Sequence, residues 1–262
     1  MPSLSANLRR KRILELLKAR GALKVRELAG ELGVSQVTIR ADLAALEREG
    51  RLVRTRGGAL PPEPGRFELP LWESRRVHLR EKAAIGRRAA ELVKDGETIF
   101  VDVGSTTTEF ARALSPELKD VLVVTNALNI ALLLEAHPGV RVVVTGGTLR
   151  RLQHSLVNPF GTRLLEELYA DKAFLGANGV HPEAGVTNAN VPEAEIKRLM
   201  VAHAKAAYVL ADRSKLLRVA TARFADLADL AGLITDDGAD PEAVAALEAA
   251  GLEVIRAGTA RP

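Results

Sequence analysis

The sequence has no cysteine, which excludes disulfide bonds, thiol catalysis and thiolate metal sites. Histidine is sparse as well, and no pair of histidines has the spacing of a metal-binding motif. Neither G-x-G-x-x-G nor G-x-x-x-x-G-K-[ST] occurs, so dinucleotide and nucleoside triphosphate binding have no support. We therefore expect neither a metal nor a cofactor. The five histidines are His78, His137, His154, His181 and His203.

Long apolar runs are also missing. No window reaches the roughly eighteen apolar residues of a membrane span. Residues 8–17 lack the uninterrupted apolar core and the cleavage site of a secretory signal, because the four basic residues 9–12 interrupt them. These absences predict a soluble, cytoplasmic protein with no membrane partner. Residues 8–17 predict instead a helix whose apolar residues face inward and whose basic cluster, 9–12, faces outward.

Residues 22–59 have the pattern of a helix-turn-helix followed by a basic strand pair, a shape that enters a DNA groove. Apolar residues recur over 25–32 at the spacing of a short helix. Gly33 suits the left-handed turn that ends such a helix. Ser35 is a good N-cap for the next helix, because its hydroxyl can accept a bond from an unpaired backbone N–H.

The second helix and the strand pair carry the side chains expected to contact DNA. Residues 51–56 predict a strand, and the glycines at 57–58 supply a turn. Arginine, glutamine, serine and threonine are the residue types that bind base edges and phosphates. The residues predicted to face the other helices are Val37, Ile39, Ala41, Leu43, Ala44 and Leu46, and those predicted to bind DNA are Ser35, Gln36, Thr38, Arg40, Arg54 and Arg56.

Charge is distributed unevenly along the chain. Residues 1–60 hold thirteen Lys or Arg against six Asp or Glu, whereas the other residues hold twenty-four against twenty-seven. Two helices with a glycine between them also occur in ordinary helical bundles, where arginines form a solvated face. The concentration of positive charge on this one segment favours DNA binding over that alternative.

A boundary follows the basic segment. Residues 57–65 contain three prolines and three glycines, which predicts a linker without helix or strand. A helix is expected over 73–93. We therefore predict a winged helix-turn-helix DNA-binding domain at 1–58, a linker at 59–72 and a second, larger domain at 73–262.

The rest of the chain alternates between short apolar strands and helices, which predicts an α/β domain with a mainly parallel sheet covered on both faces. Ligands of such sheets bind beyond the carboxyl ends of the strands. The predicted strands are 98–103, 121–125, 140–145, 173–176, 208–211, 230–235 and 252–255, and the predicted helices are 107–114, 127–135, 162–169, 192–206 and 241–250.

Small polar residues follow five of these strands. Glycine and hydroxyl residues at a helix start offer N–H and O–H donors to an anion, and amides and carboxylates suit sugar hydroxyls. Each group could also be ordinary turn chemistry, and Asp212-Arg213-Ser214-Lys215 could be a helix cap with a solvated lysine. Together these groups suit a small polyol bearing a phosphate. The residues predicted to bind it are Asp102, Gly104, Ser105, Thr106, Thr107, Thr125, Asn126, Gly146, Gly147, Asn178 and Lys215.

Eight segments form a family pattern that covers nearly the whole chain: 34–43, 54–59, 80–86, 102–107, 124–126, 146–147, 193–198 and 212–215. Together they resemble the DeoR family of bacterial transcription regulators. The resemblance implies a winged helix joined to an effector domain similar to ribose-5-phosphate isomerase. It also implies a repressor of sugar catabolism that acts as a homo-oligomer, dimer or tetramer, on double-stranded operator DNA and is released by a phosphorylated sugar. Ala41, where the family often has a second arginine, and residues 216–218, where it often has Phe-Gly, depart from the pattern.

A sugar-phosphate isomerase is the alternative, since the implied effector fold is shared with such enzymes. Proton transfer between adjacent carbons needs a positioned acid and base. Asn178 supplies an amide where those isomerases have an acid, and Asp102 has no evident carboxylate partner in the sequence. We therefore expect no enzymatic activity.

Overall fold

The computed structural model describes residues 5–48, 51–60 and 70–258. The chain divides into two compact units, Met1–Leu69 and Pro70–Pro262. In the first unit, helices α1 and α2 end at Gly21 and Gly33, both in the left-handed conformation that closes a helix. The elements of this unit are α1 (Ala6–Arg20), β1 (Leu23–Lys24), α2 (Val25–Leu32), α3 (Gln36–Arg48), β2 (Val53–Thr55) and β3 (Gly58–Leu60).

The core of the first unit lies between the helices and an antiparallel sheet of order β1-β3-β2. The apolar rows predicted on α1 and α3 are buried, among them Ile13, Ile39 and Leu43. The prediction that Val37 and Ala41 face inward is wrong, because both are exposed. Each lies two positions, about 200° around the helix, from Ile39, and therefore on the opposite face.

The basic cluster on α1 is also placed differently from the prediction. Arg9 is buried, and its Nε donates to Asp42 Oδ2 on α3. Arg10 Nε donates to the other oxygen, Oδ1, at 3.0 Å. Asp42 is itself buried, and a buried carboxylate needs compensating charge, so these two arginines face α3 instead of solvent.

The predicted linker is wrong at both of its ends. Residues 58–60 form β3, which pairs with both β1 and β2. A Cβ added to Gly58 would lie 1.8 Å from the carbonyl oxygen of Leu23, so this glycine permits close strand pairing instead of a turn. At the other end α4 begins at Leu71. Residues 61–69 of the predicted linker lie outside the described residues.

The second unit is built around seven parallel strands in the order β15-β14-β12-β9-β4-β5-β6, and they correspond to the seven predicted strands. The elements are α4 (Leu71–Arg76), α5 (Leu79–Ala90), β4 (Thr98–Val101), α6 (Ser105–Ala113), β5 (Val121–Thr125), α7 (Leu128–Leu134), β6 (Val140–Val144), β7 (Thr148–Arg150), β8 (Ser155–Val157), α8 (Phe160–Glu166), β9 (Ala170–Gly176), β10 (Gly179–His181), β11 (Gly185–Asn188), α9 (Val191–Ala202), β12 (Ala204–Leu210), β13 (Ala222–Ala225), β14 (Gly232–Asp236), α10 (Pro241–Ala249) and β15 (Val254–Ala257).

Apolar side chains cover both faces of this sheet. Phe100 belongs to one buried cluster, whereas its neighbours Ile99 and Val101 belong to the cluster on the other face. This alternation follows from the period of two in a strand. It leaves the carboxyl ends of the strands as the edge where polar groups gather.

Two helix predictions are corrected. Residues 73–93 do not form one helix, because the chain breaks between α4 and α5 at His78, whose φ of 54° is incompatible with a right-handed helix. The helix predicted over 192–206 ends at Ala202, and β12 begins at Ala204, which is aligned with Ala170 of β9. Pairing in the sheet outweighs the helical propensity of this alanine-rich stretch.

The connections contain two small antiparallel features that the sequence pattern does not indicate. Strands β7 and β8 form a hairpin, and β10, β11 and β13 form a three-stranded sheet. Each of these strands has only three or four residues, which is too short for a clear alternation. No helix in the described parts of the chain combines the length and hydrophobicity required to cross a bilayer.

Candidate functional site

The start of α3 is an exposed polar surface. Ser35 caps the helix, since its Oγ accepts from the Thr38 N–H at 3.1 Å. Gln36 and Arg40 are exposed, and Thr38 is half-buried. The structure therefore brings the four residues predicted on this helix to one accessible stretch of about a turn and a half. Val37 adds an apolar side chain to it.

The two arginines of the strand pair have different surroundings. Arg54 lies on β2, where its Nε is 3.1 Å from Glu47 Oε2 of α3. Arg56 lies in the turn between β2 and β3 and is exposed. Because Glu47 offsets part of the charge of Arg54, Arg56 is the freer of the two to attract a phosphate.

In the second unit, the polar residues predicted after the strands gather at the carboxyl edge of the sheet. Strands β12, β9, β4 and β5 are consecutive neighbours and all parallel. Asp212, Gly176, Asp102 and Thr125 lie at their ends and therefore along one edge.

Asp102 is fully buried and forms an ion pair with Lys197 of α9. Its Oδ2 accepts from Lys197 Nζ and from the Gly176 N–H at 3.2 Å, and Lys197 Nζ also donates to the Gly176 carbonyl at 2.9 Å. Burial raises the pKa of Asp102 to about 6, although the positive charge of Lys197 acts in the opposite direction. The carboxylate thus has a cationic partner that the sequence did not reveal.

The second oxygen of Asp102 is a notable feature of the site. Asp102 Oδ1 is buried and has no hydrogen-bond partner among the described residues. A buried carboxylate oxygen needs a donor, and leaving it without one is costly. A hydroxyl of a bound ligand is a donor of the required kind.

Glu193 joins several segments near this pair. Its carboxylate accepts from Arg150 on β7, from Ser155 Oγ on β8 and from Asn188 Nδ2 on β11, the last at 3.3 Å. Asn190 caps α9 by accepting from the Glu193 N–H at 3.1 Å. A single buried carboxylate on α9 therefore fixes the β7–β8 hairpin next to the carboxyl edge.

The N-terminus of α6 has the composition of an anion cradle. Thr107 and Thr108 donate from Oγ1 to the Gly104 carbonyl, at 3.1 and 2.6 Å, and so order the first turn. Ser105 Oγ lies 3.1 Å from Ser74 Oγ. Ser105 and Thr106 are both buried. Because they belong to the first turn of the helix, their hydroxyls lie beside its unpaired backbone N–H groups and the positive end of the helix dipole.

Several predicted residues support loops. Asn126 Oδ1 accepts from the Val103 N–H at 3.0 Å, and Asn178 Oδ1 accepts from the Ala189 N–H at 2.9 Å. Thr125 Oγ1 accepts from the Ala127 N–H at 3.1 Å. Gly146 and Gly147 have φ values of 72° and 120°, which L side chains rarely adopt. These five residues shape the edge through backbone geometry.

Lys215 lies on a 3-10 turn that Asp212 caps by accepting from the Ser214 N–H at 3.0 Å. Asp212 therefore acts as a helix cap, which was one of the two interpretations of this segment from the sequence. Lys82 of α5 lies 4.0 Å from Asp212 Oδ2, and burial lowers the pKa of Lys82 to about 8. The positive charge of Lys215, which lies on the turn that Asp212 caps, also lowers this pKa. Arg213 points elsewhere and pairs with Asp236.

Three charged residues of this edge were missed from the sequence: Lys82, Glu193 and Lys197. A signal for them exists in helical spacing. Glu193 and Lys197 are four residues apart on the same face as buried Met200, and Lys82 shares a face with buried Ile85. Charged residues on the apolar face of a helix are rare, so they indicate a site or a buried ion pair.

Comparisons with known proteins agree with this organisation. A DeoR-like helix-turn-helix domain matches residues 9–64, and a DeoR C terminal sensor domain matches residues 77–237. The HTH-type transcriptional regulator GlpR of Haloferax volcanii is 38% identical over 94% of this chain and 96% of its own length. A putative aga operon transcriptional repressor of Escherichia coli O157:H7 is 34% identical over 95% of this chain and 93% of its own length.

Among solved structures, ribose 5-phosphate isomerase A of Methanocaldococcus jannaschii is 21% identical, with a TM-score of 0.39 over 53% of this chain and 54% of that one. This similarity is too low to support a conclusion about function. The two family matches together span most of the sequence, and both units match in the expected order. The chain belongs to the DeoR family of transcriptional regulators.

Proposed function

We propose that this chain is a repressor of a carbohydrate catabolism operon that a phosphorylated sugar releases from operator DNA. The main support is the family match over both units, together with the exposed polar start of α3 on the strongly basic segment 1–60. The Escherichia coli relative is named an operon repressor, which favours repression over activation.

In this proposal the first unit binds double-stranded DNA. Helix α3 enters the major groove and reads base edges, while the β2–β3 turn contacts the backbone. Exposed Gln36 and Arg40 suit base contacts, and exposed Arg56 suits a phosphate. The proposed DNA-binding residues are Ser35, Gln36, Thr38, Arg40, Arg54 and Arg56.

The second unit binds the effector at the carboxyl edge of the sheet. In this proposal the phosphate binds at the N-terminus of α6 and pairs with the positive charge of Lys215, and Asp102 Oδ1 accepts from a sugar hydroxyl. The remaining proposed residues line or shape this edge of the sheet. The proposed effector-binding residues are Asp102, Gly104, Ser105, Thr106, Thr107, Thr125, Asn126, Gly146, Gly147, Asn178 and Lys215.

We further propose that the protein is not an enzyme. An isomerase needs an acid and a base that can exchange protons with the substrate. The ion pair with Lys197 holds one oxygen of Asp102, and Asn178 offers an amide that is bonded to a loop N–H. This arrangement supports binding of a sugar hydroxyl at the free oxygen of Asp102, and it places an amide at position 178 where those isomerases have an acid.

The proposed regulator acts in the cytoplasm, where chromosomal DNA and sugar phosphates are both present, and as a homo-oligomer. Two or more copies bind repeated half-sites, which is the usual way in which a helix-turn-helix protein gains affinity and specificity.

Thermal-shift and calorimetric titrations test the effector part. We expect a sugar or polyol monophosphate to raise the Tm and its unphosphorylated parent to leave it unchanged, because only the folded site binds the phosphate. In calorimetry, Lys215→Ala should weaken binding about tenfold to a hundredfold, the loss typical of one charge-assisted bond. The matched control is Lys94→Ala, at an exposed lysine of the same unit.

The result that contradicts the effector proposal is a Tm raised equally by phosphorylated and unphosphorylated sugars. The same purified protein, incubated with aldose and ketose phosphates, should show no interconversion above background. Turnover that co-purifies with the protein and is lost in Lys197→Met would revive the isomerase alternative.

A further inference from the structure

Helix α4 is the first described element of the second unit along the chain, and contacts at its start hold it to that unit. The Leu71 N–H donates to the carbonyl of Leu152, in the turn of the β7–β8 hairpin, at 2.9 Å. The Leu71 side chain is buried. Trp72, the only tryptophan of the chain, follows it and is exposed.

A lysine holds the other end of α4. Lys82 Nζ donates to the carbonyls of Ser74 and Val77, at 2.7 and 2.8 Å, which lie at the end of that helix. These bonds use two of the three N–H donors of the ammonium group. The charge of Lys82 is buried, and its only close carboxylate among the described residues is Asp212, at 4.0 Å.

A second polar contact connects α4 to the proposed anion cradle directly. Ser74 Oγ lies within hydrogen-bond distance of Ser105 Oγ, the first residue of α6. Ser74 is therefore connected to two parts of the proposed phosphate site. It contacts Ser105 directly, and it contacts the Asp212–Lys215 turn through Lys82.

We propose that α4 is a coupling strap, and that a sugar monophosphate bound at the start of α6 loosens it by drawing Ser105 and Lys82 away from Ser74. This inference rests on the proposed function, because it requires an anion at that site. A phosphate oxygen is a stronger acceptor than a serine hydroxyl or a neutral carbonyl, and hydrogen bonds between charged partners are roughly twice as strong as neutral ones.

Electrostatics favour the same exchange. Burial lowers the pKa of Lys82 to about 8, although the negative charge of Asp212 acts in the opposite direction; Lys215 adds a smaller lowering effect. The charge of Lys82 is therefore only partly compensated without a ligand. An anion would compensate both lysines. The carbonyls of α4 would then lose their donor, whereas the apolar contact of Leu71 would remain.

The position of α4 gives this exchange a consequence for regulation. Only residues 61–70 separate α4 from β3, the last described element of the unit proposed to bind DNA. A ligand that changes how firmly the start of the second unit is held changes the restraint on that connection. A two-state element biased by the ligand is the minimum that allosteric control requires.

Hydrogen–deuterium exchange of the full-length protein tests the strap. The probes are glucose 6-phosphate, fructose 1-phosphate, glycerol 3-phosphate and inorganic phosphate, each first tested by thermal shift, with the parent sugars as controls. With a probe that raises the Tm, we expect amides of 71–77 to exchange about tenfold faster while those of α5 do not change. Trp72 fluorescence should change over the same concentration range.

Variants separate the strap from the site. Lys82→Met should speed exchange in 71–77 about tenfold without ligand, and ligand should add little further. If Lys82→Met does not fold, Ser74→Ala removes the hydroxyl contact alone and should give a smaller increase. Lys119→Met, at an exposed lysine, should behave as the wild type.

The outcomes distinguish this inference from the proposed function. A probe that raises the Tm without changing exchange or fluorescence of α4 would overturn the strap and leave the effector proposal standing. If no probe raises the Tm, the effector proposal fails and the strap fails with it.

Discussion

Asp102 lies buried at the end of β4, and its charge depends on Lys197. Asp102→Asn keeps an oxygen for the Gly176 N–H but leaves the Lys197 ammonium buried without its counter-charge. We expect this variant to lower the free energy of unfolding by about 3–5 kcal/mol, as loss of one partner of a buried pair does. Urea denaturation followed by circular dichroism measures the change.

The control for this prediction is the double variant Asp102→Asn/Lys197→Met, which removes both charges. It should be more stable than Asp102→Asn alone, because no uncompensated charge remains buried. If the double variant loses as much unfolding free energy as Asp102→Asn and Lys197→Met lose in sum, the two side chains do not interact energetically.

The lowered pKa of Lys82 predicts how the free energy of unfolding depends on pH. The sign is opposite to the one that a lysine in an ion pair gives. Its pKa is lowered to about 8 in the folded protein, below the value near 10.4 of an unfolded chain. Between these two values the unfolded state binds more protons, so the contribution of Lys82 to stability rises with pH. The slope cannot exceed about 1.4 kcal/mol per pH unit.

The measurement compares wild type with Lys82→Met from pH 7.5 to 10, so that titration of other groups cancels. As the pH rises, the unfolding free energy of the wild type should increase relative to that of Lys82→Met. A constant difference over this interval would mean that Lys82 has an ordinary pKa.

At the scale of elements, α3 and the β2–β3 turn are proposed to contact different parts of DNA. Arg40→Ala should reduce specific binding by about 1–3 kcal/mol and leave binding to random duplex nearly unchanged, whereas Arg56→Ala should weaken both alike. Fluorescence anisotropy with a duplex selected from a random library, and with a scrambled duplex, provides the comparison. Equal losses on both duplexes for Arg40→Ala would assign Arg40 to the backbone.

Elements with a regular apolar pattern could be predicted from the sequence. The seven strands of the sheet and the buried rows of α1 and α3 were predicted because period and burial coincide there. The hairpin β7–β8 depends instead on tertiary contacts, such as the bonds that Glu193 accepts from Arg150 and Ser155. Such contacts join residues far apart in sequence, so no local pattern contains them.

The same distinction applies to the site. The polar residues after the strands could be predicted, since parallel strands bring their ends together. The partners Lys197 and Lys82 come from helices, and only the folded chain shows which carboxylate or carbonyl each one meets. Arg9 was misplaced for this reason too, because Asp42 lies far from it in sequence.

For the whole molecule, the uneven charge predicts how DNA binding responds to salt. Because the positive excess lies in residues 1–60, affinity for duplex DNA should fall steeply between about 50 and 200 mM salt through release of counterions. A fragment ending at residue 65 should still bind DNA weakly. For each fragment bound, its affinity should depend on salt concentration about as steeply as that of the intact chain. Affinity that does not change with salt would contradict a binding mode based on phosphate contacts.

The strand order of the sheet has a consequence for how the chain folds. Central strand β4 is aligned on one side with β5, which follows it closely, and on the other with β9, where Ile99 meets Lys172. The sheet cannot form on both sides of β4 until β9 has been synthesised, whereas the strands described in the first unit all lie within residues 23–60. Folding rate falls as contacting residues become more distant in sequence. During synthesis, the unit proposed to bind DNA can therefore reach its native structure while the proposed sensor is still incomplete on the ribosome.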